Sequence, residues 1–141
     1  MELFINTALR HNALGLVDGD RVVEIRSWLA SYNESEKVLG QLPDLLATHQ
    51  SSLPELTGAY FVLGPGSFTA LRIGLNMANV LHAMNGTPLQ TLPTFELLQA
   101  LYADQTSDIL LEAGQDSVYH YAASTHEIQI IPQSQVADYP A

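Results

Sequence analysis

Apolar and polar positions first recur at strand length. Leu3-Phe4-Ile5 is a brief apolar run, and Ala13 to Val17 and Arg21 to Ile25 flank Asp18-Gly19. That dipeptide suits a tight hairpin because both residues tolerate positive φ, and it predicts a register pairing Val17 with Asp20 or a near neighbour. The period then lengthens. From Ser35 to about Gln50, Val38, Leu39, Leu42, Leu45 and Leu46 fall on one helical stripe, with Asn33 or Ser35 as cap and Glu36 suited to the positive amino end. Pro43 removes a donor within this run and predicts a kink.

Gly58 to Leu63 reads as a buried strand, Gly64-Pro65-Gly66 as a turn, and Ser67 to about Met84 as a long helix closed by Asn85-Gly86. Pro88 to Leu92 is a strand. Thr94 to Tyr102 is a short helix capped by Thr94, with Leu97, Leu98 and Leu101 on its apolar face. Asp108 to Glu112, Ser117 to Ala122 and Glu127 to Ile131 are three further strands, followed by a polar, proline-bounded tail expected to be loosely held. A parallel strand after each crossover helix predicts a mixed α/β unit over residues 1–105. Residues 106–131 then begin a second, truncated β-rich lobe, a three-strand meander, and 132–141 form the tail. An isolated meander is marginal, so Tyr119, Tyr121, Ile128, Ile130 and Ile131 are expected to pack on the first unit or on a partner.

The helix after the glycine turn changes the picture. Ala70, Gly74 and Ala78 recur every four residues as a smooth stripe, with Leu71 and Leu75 on one side and Ile73, Met77, Val80, Leu81 and Met84 on the other. No charged residue occurs between Ile73 and Met84, whereas an ordinary surface helix has one charged face. One face can pack on the chain's own sheet. The rest needs a second cover, either the Val38–Leu46 helix or another subunit. The expected partner interface is Val38, Leu42, Leu45, Ala70, Leu71, Gly74, Met77, Ala78 and Leu81. On that reading, bulking Gly74 or Ala78 should break a complex and leave the monomer folded.

Composition narrows the function classes. Apolar residues make up 47% of the 141, enough for a core, and there is no cysteine for a disulfide or thiolate metal site. No apolar run reaches the ~18–20 residues of a membrane helix, and the amino end lacks the marks of a signal peptide, so the expected location is cytoplasmic and membrane contact is not expected. Five basic residues, Arg10, Arg21, Arg26, Lys37 and Arg72, face fifteen acidic ones for a net charge of −10. Such a chain lacks the basic footprint that grips nucleic acid, so direct RNA binding is not expected.

The stretch from Gly64 to Leu98 resembles the signature of the TsaB family: Gly-Pro-Gly-Ser-Phe-Thr at 64–69, Ala70, Leu-Arg-Ile-Gly at 71–74, an apolar helix, Gly86-Thr87-Pro88-Leu89, and a Thr-started helix at Thr94. Glu34 to Leu39 and Glu112-Ala113 with Val118-Tyr119 agree more loosely. The resemblance implies an actin-like, ribonuclease H-like half-fold with flanking helices. It also implies a non-catalytic subunit that stabilises TsaD, the transferase that places threonylcarbamoyl on tRNA adenosine. The family contact is helix to helix; the same surface supports homodimers, and a TsaE-like ATPase can join. ATP or ADP with Mg²⁺ is implied only in the complex, near a turn formed by Asn6, Thr7, Gly64, Gly66, Ser67 and Thr69, with no cofactor on this chain alone. Departures from the pattern are Asn6-Thr7-Ala8 for Asp-Thr-Ser, Glu34 for His, Glu112 and Gly114 for Asp and Arg, and a shortened second domain.

No catalytic set emerges from the residues. His11, His49, His82, His120 and His126 lack metal-ligand spacing; His82 reads as a packing residue, and His120 and His126 read as exposed turn flanks. Ser67 has no nucleophile-elbow context, so peptidase labels attached to the superfamily find no support in it, and Glu112 with Asp116 reads as solvated charge. The alternatives are a small nucleotide-hydrolysing relic using the Gly64–Thr69 turn, where a helix start could hold phosphate but Pro65 offers no N–H and no Walker lysine is present, and a homodimeric scaffold.

Overall fold

The computed structural model describes residues 1–102 and 107–139, with Glu34 described by its backbone alone. The expected boundary at 105/106 and the last two residues of the tail lie outside the described residues. The elements are β1 (Glu2–Asn6), β2 (His11–Asp18), β3 (Arg21–Leu29), α1 (Glu34–Thr48), β4 (Gly58–Gly64), α2 (Phe68–Asn85), β5 (Leu89–Pro93), α3 (Thr94–Tyr102), β6 (Ile109–Gly114), β7 (Ser117–Ala122) and β8 (Glu127–Pro132). Short 3₁₀ helices at Leu53–Glu55 and Gln133–Asp138 were not evident from periodicity, which one or two turns are too short to display.

Strands β3-β2-β1-β4-β5 form one mixed sheet, antiparallel on the β3 side of β1 and parallel on the β5 side. The parallel pairs follow from α1 and α2, which carry the chain back across the sheet before β4 and β5. Side chains alternate across the strands. Leu3, Ile5, Leu14, Leu16, Ala59 and Phe61 gather on one face, covered by Val38, Leu42, Leu45 and Leu46 of α1 and Met77, Ala78 and Leu81 of α2. Burying each of the larger side chains contributes ~1.5–3 kcal/mol relative to exposure.

The loop of the first hairpin lies one residue later than expected, and the partner of Val17 two residues later than Asp20. Asp18 pairs with Arg21 and Val17 with Val22, so Gly19-Asp20 is the loop. Gly19, at φ 57°, takes the left-handed position, and a bulge between Leu16 and Val17 absorbs the shift. Helix α1 runs through Pro43 without interruption. Asn33 and Ser67 occupy the N-cap positions of α1 and α2, but neither side chain makes a capping hydrogen bond. Gly86 ends α2 as expected, at φ 67° with its N–H donating to His82 O at 2.8 Å.

Strands β6-β7-β8 form a separate antiparallel sheet. Ile109, Leu111, Tyr119 and Tyr121 on one of its faces pack with Leu9 against Phe95 and Leu98 of α3. Phe95 and Tyr121 stack, centroids 5.0 Å apart at 15°. This contact turns α3 so that Phe95 and Leu98 face inward and Leu101 is exposed, correcting the expected stripe. The expected packing of the second sheet on the first unit holds for Tyr119 and Tyr121; Ile131 is buried on the other face, opposite Val118. Ile128 and Ile130 lie opposite Tyr121 and Tyr119 on the outer strand and are exposed. The tail is also more ordered than expected: through Tyr139 it follows the other face of this sheet, with Gln133 N–H donating to Asp116 O at 2.8 Å and the Tyr139 ring 4.3 Å from that of His120.

Candidate functional site

Two concave features lie on this scaffold, a cleft between the sheets and a groove between α1 and α2. The cleft begins at the glycine turn. Gly64 has φ 119°, a conformation side-chain-bearing residues rarely adopt, and a Cβ on Gly66 would run into the Ala8 carbonyl. Ser67 N–H donates to Ala8 O at 3.3 Å, so the start of α2 is pressed onto the β1–β2 turn. Asn6 shapes that turn: its Oδ1 accepts from Ala8 N–H and its Nδ2 donates to His11 O, both at 3.1 Å.

These contacts sort the candidate nucleotide-proximal residues. Gly66, Ser67 and Thr69 line a cleft of about 840 Å³ with Arg10, Tyr32 and Ser35, facing Leu111, Glu112 and Tyr119 of the second sheet. Asn6 and Thr7 are buried beneath it, and Gly64 lies outside the lining. Arg10 and Tyr32 carry no sequence signal, because they sit in irregular segments that only the tertiary fold brings to the cleft. The positive end of α2 opens here with no acidic residue in its first turn. The side chains at the end of β1 do not fit an Mg²⁺-phosphate site: position 6 carries an amide already committed to its own turn, and Thr7 is buried.

The second feature corrects the expected orientation of α2. A Cβ on Gly74 would lie 2.6 Å from Thr7 Oγ1 and 3.6 Å from Ile5 Cγ2. The smooth stripe Ala70, Gly74, Ala78 therefore faces the chain's own sheet, where a helix must come close. Val38, Leu42, Leu45, Met77 and Leu81 are buried with it, and half-buried Leu71 lies against the glycine turn. Bulking Gly74 would thus attack the fold before any complex. What α1 and α2 leave open overlaps the expected set only in part: Val38, Leu42, Met77 and Leu81 reach the groove between the helices, while Leu39, Val80 and Met84, outside that set, are 65%, 54% and 68% exposed. A groove of about 290 Å³ runs between the helices, lined by Leu39, Leu42, Leu53, Ile73, Met77 and Val80, with Ser35 and Asn76 also in its wall. For Ile73, Met77 and Val80 the signal in the sequence was the second apolar arc of α2, and for Leu39 and Leu42 the apolar stripe of α1.

The histidines are placed structurally. His82 Nδ1 lies 2.9 Å from Thr87 O, and His126 Nδ1 lies 2.5 Å from the Tyr121 hydroxyl, which also donates to Gln99 Oε1 at 3.2 Å. His120 is buried rather than exposed, because the tail covers its face of β7. Its Nε2 lies 2.8 Å from Asp108 Oδ2. That hydrogen bond, with a second from Ala123 N–H, holds the Asp108 carboxyl below the usual range. Glu24 is likewise held low by Arg26 at 2.6 Å and His49 at 2.7 Å. Among the described residues no group of three His, Cys, Asp or Glu side chains could hold a metal ion.

The mixed five-stranded sheet, its flanking helices and the cleft against a second β-sheet define an actin-like α/β fold. Solved structures share it. YeaZ from Pseudomonas aeruginosa matches with a TM-score of 0.74 at 21% identity, covering 92% of this chain and 63% of that one. An uncharacterized protein with similarity to peptidase YeaZ from Pseudomonas aeruginosa matches at 0.77 and 21%, covering 96% and 68%. The ethanolamine utilization protein EutJ from Carboxydothermus hydrogenoformans matches at 0.53 and 14%, covering 92% and 51%. The chain thus spans about two thirds of the length of the two YeaZ-like structures. No curated protein matches the sequence significantly. A family model described as tRNA N6-adenosine threonylcarbamoyltransferase, TsaD, matches residues 28–137. The chain belongs to that family, to which TsaB also belongs, and the resemblance to TsaB, also called YeaZ, is borne out. No helix among the described residues is long and apolar enough to cross a membrane.

Proposed function

We propose that the chain is a cytoplasmic, non-catalytic subunit of the tRNA threonylcarbamoyladenosine synthesis complex, which binds and stabilises a TsaD-type transferase through α1 and α2. The observation that carries this reading is the open apolar groove between the two helices, with exposed Leu39 and Val80 in its lining. Large exposed apolar side chains arranged around a groove are the usual mark of a protein contact. Family membership and the YeaZ-like fold support the pathway, and the net charge of −10 fits a subunit that leaves tRNA to its partner. Leu39→Glu and Val80→Glu should abolish co-purification with the TsaD-like subunit of the same organism while leaving the thermal unfolding of this chain unchanged. Addition of the wild-type chain should raise tRNA modification by that subunit. An unaltered complex in both variants would remove the groove from the interface.

The cleft favours a second reading, a nucleotide-binding remnant. Gly66, Ser67 and Thr69 sit at the positive end of α2, with Arg10 also in the lining. ATP binding by the isolated chain, lost on Arg10→Ala, would support it against the first.

A further inference from the structure

Among the described residues β3 and β5 end the first sheet, and β6 and β8 end the second. A sheet edge presents unpaired N–H and C=O groups, which folded proteins blunt with bulges, charge or proline. Strand β3 carries an extra residue, Val23, against β2, together with Arg21, Glu24 and Arg26. Strand β6 carries an extra residue, Ala113, against β7, while β5 pairs across a register shift and stops at Pro93. Strand β8 differs. It pairs with β7 from Glu127 to Pro132 without a shift, and Glu127 is its only charged residue. Ile128 and Ile130 in its middle are 52% and 66% exposed.

The ladder fixes which way the backbone groups of β8 point. Gln133 N–H donates to Asp116 O, one step beyond the Ser117–Pro132 pair. Hydrogen-bonded pairs alternate along an antiparallel ladder, so Val118–Ile131 and His120–Gln129 bond across it. Ile128, Ile130 and Pro132 then turn their backbone groups away from β7, where a proline removes no donor from the sheet. Among the described residues no backbone hydrogen bond outside the ladder reaches Ile128 or Ile130. We propose that this edge pairs with β8 of a second copy, antiparallel about a two-fold axis at Gln129. Ile128 then faces Ile130 of the second copy, and every outward N–H and C=O of these isoleucines finds a mate. Centring on Ile130 would set Ile128 against Pro132, which has no N–H. Centring on Ile128 would set Ile130 against His126, whose N–H already donates to Ala122 O at 2.8 Å. The isoleucines of both copies meet on one face as cross-strand pairs. Each Glu127 faces Ile131 of the other copy, ~13 Å along the strand from the other Glu127. The seam uses no lining residue of the groove between α1 and α2, so it stands whether or not the partner reading does. It is small beside the ~1,200–2,000 Å² of a stable interface, so the dimer forms at high concentration. The charge of −10 on each copy opposes it, and salt relieves that repulsion.

Sedimentation equilibrium up to millimolar concentration should show a monomer–dimer equilibrium that tightens as salt is raised. Ile130→Pro removes an outward donor from each copy and spares the β7 ladder. It should weaken the dimer at least about tenfold while the unfolding midpoint stays put. Leu39→Glu, in the helix groove, should leave the dimer unaltered. Cysteine substitutions read the register, because the chain has no cysteine of its own. Gln129 meets its counterpart in a non-hydrogen-bonded pair with Cα atoms ~4.5 Å apart, within disulfide reach. The two copies of Ile130 lie out of step by two residues, ~7 Å along the strand, and outside that reach. With diamide as oxidant, Gln129→Cys should form a disulfide-linked dimer at least about tenfold faster than Ile130→Cys. Both positions are exposed, so neither change disturbs the core. If Ile130→Pro lowers the midpoint, the two cysteine variants decide. A chain monomeric throughout, a dimer unmoved by Ile130→Pro, a dimer lost in Leu39→Glu, or equal cross-linking at the two positions would each overturn the proposal.

Discussion

Replacing Gly74 separates an inward from an outward stripe on α2. In Gly74→Ala the new Cβ would sit 2.6 Å from Thr7 Oγ1, so the helix or Thr7 must move, and Thr7 is buried. Overpacking of this kind costs ~1–3 kcal/mol. Alanine in place of glycine within a helix returns ~1 kcal/mol. The net expectation is a loss of about 0–2 kcal/mol for alanine, and several kcal/mol for leucine, whose extra carbons push toward Ile5. Against a total of ~5–15 kcal/mol, the leucine variant should be largely unfolded or strongly shifted in midpoint. Urea unfolding followed by circular dichroism measures both. Thr7→Ala removes the atom in conflict and leaves Thr7 Cβ 3.7 Å from the added carbon, an ordinary contact. The double variant Thr7→Ala/Gly74→Ala should therefore be more stable than the sum of the single changes by ~1 kcal/mol. A Gly74→Leu chain that unfolds at the wild-type midpoint yet no longer binds its partner would refute the inward packing.

Three further outcomes follow from other contacts. Asn6→Asp loses the donor to His11 O and sets a carboxylate against a carbonyl, so it should cost ~1–3 kcal/mol in the same unfolding assay without creating Mg²⁺-dependent ATP hydrolysis. Phe95→Ala empties the stack beneath Tyr121 and should cost ~3–5 kcal/mol, while Tyr121→Phe, which keeps the ring and loses the hydroxyl contacts, should cost ~1 kcal/mol. Glu24 and Asp108 are both held below their ordinary values of 4.5 and 3.8, so their contribution is whole above those values and is lost as pH falls through the lowered ones. The urea midpoint should accordingly drop on acidification, and Asp108→Asn should drop less steeply; identical slopes would remove Asp108 from the account.

Much of the architecture was legible in the residue pattern, because element type depends on local period. The strands and helices lie within a few residues of their expected bounds, Gly86 closes α2 where a left-handed residue is needed, and the Gly64–Thr69 turn joins β4 to α2. The family signature pointed to the fold. Orientation was another matter. Helix α2 is apolar around most of its circumference, so its periodicity has no single answer, and the face turned inward was chosen by β1, where Thr7 and Ile5 leave room only for a hydrogen atom at position 74. The same logic buried Val38 and Leu45, exposed Leu39 and Val80, and made Asn6 a turn-former beneath the cleft. The sequence by itself determined which segments coil and which extend, since those preferences act over a few neighbouring residues. Only the tertiary structure decided which surfaces remain open, because burial depends on what other segments bring to the same place.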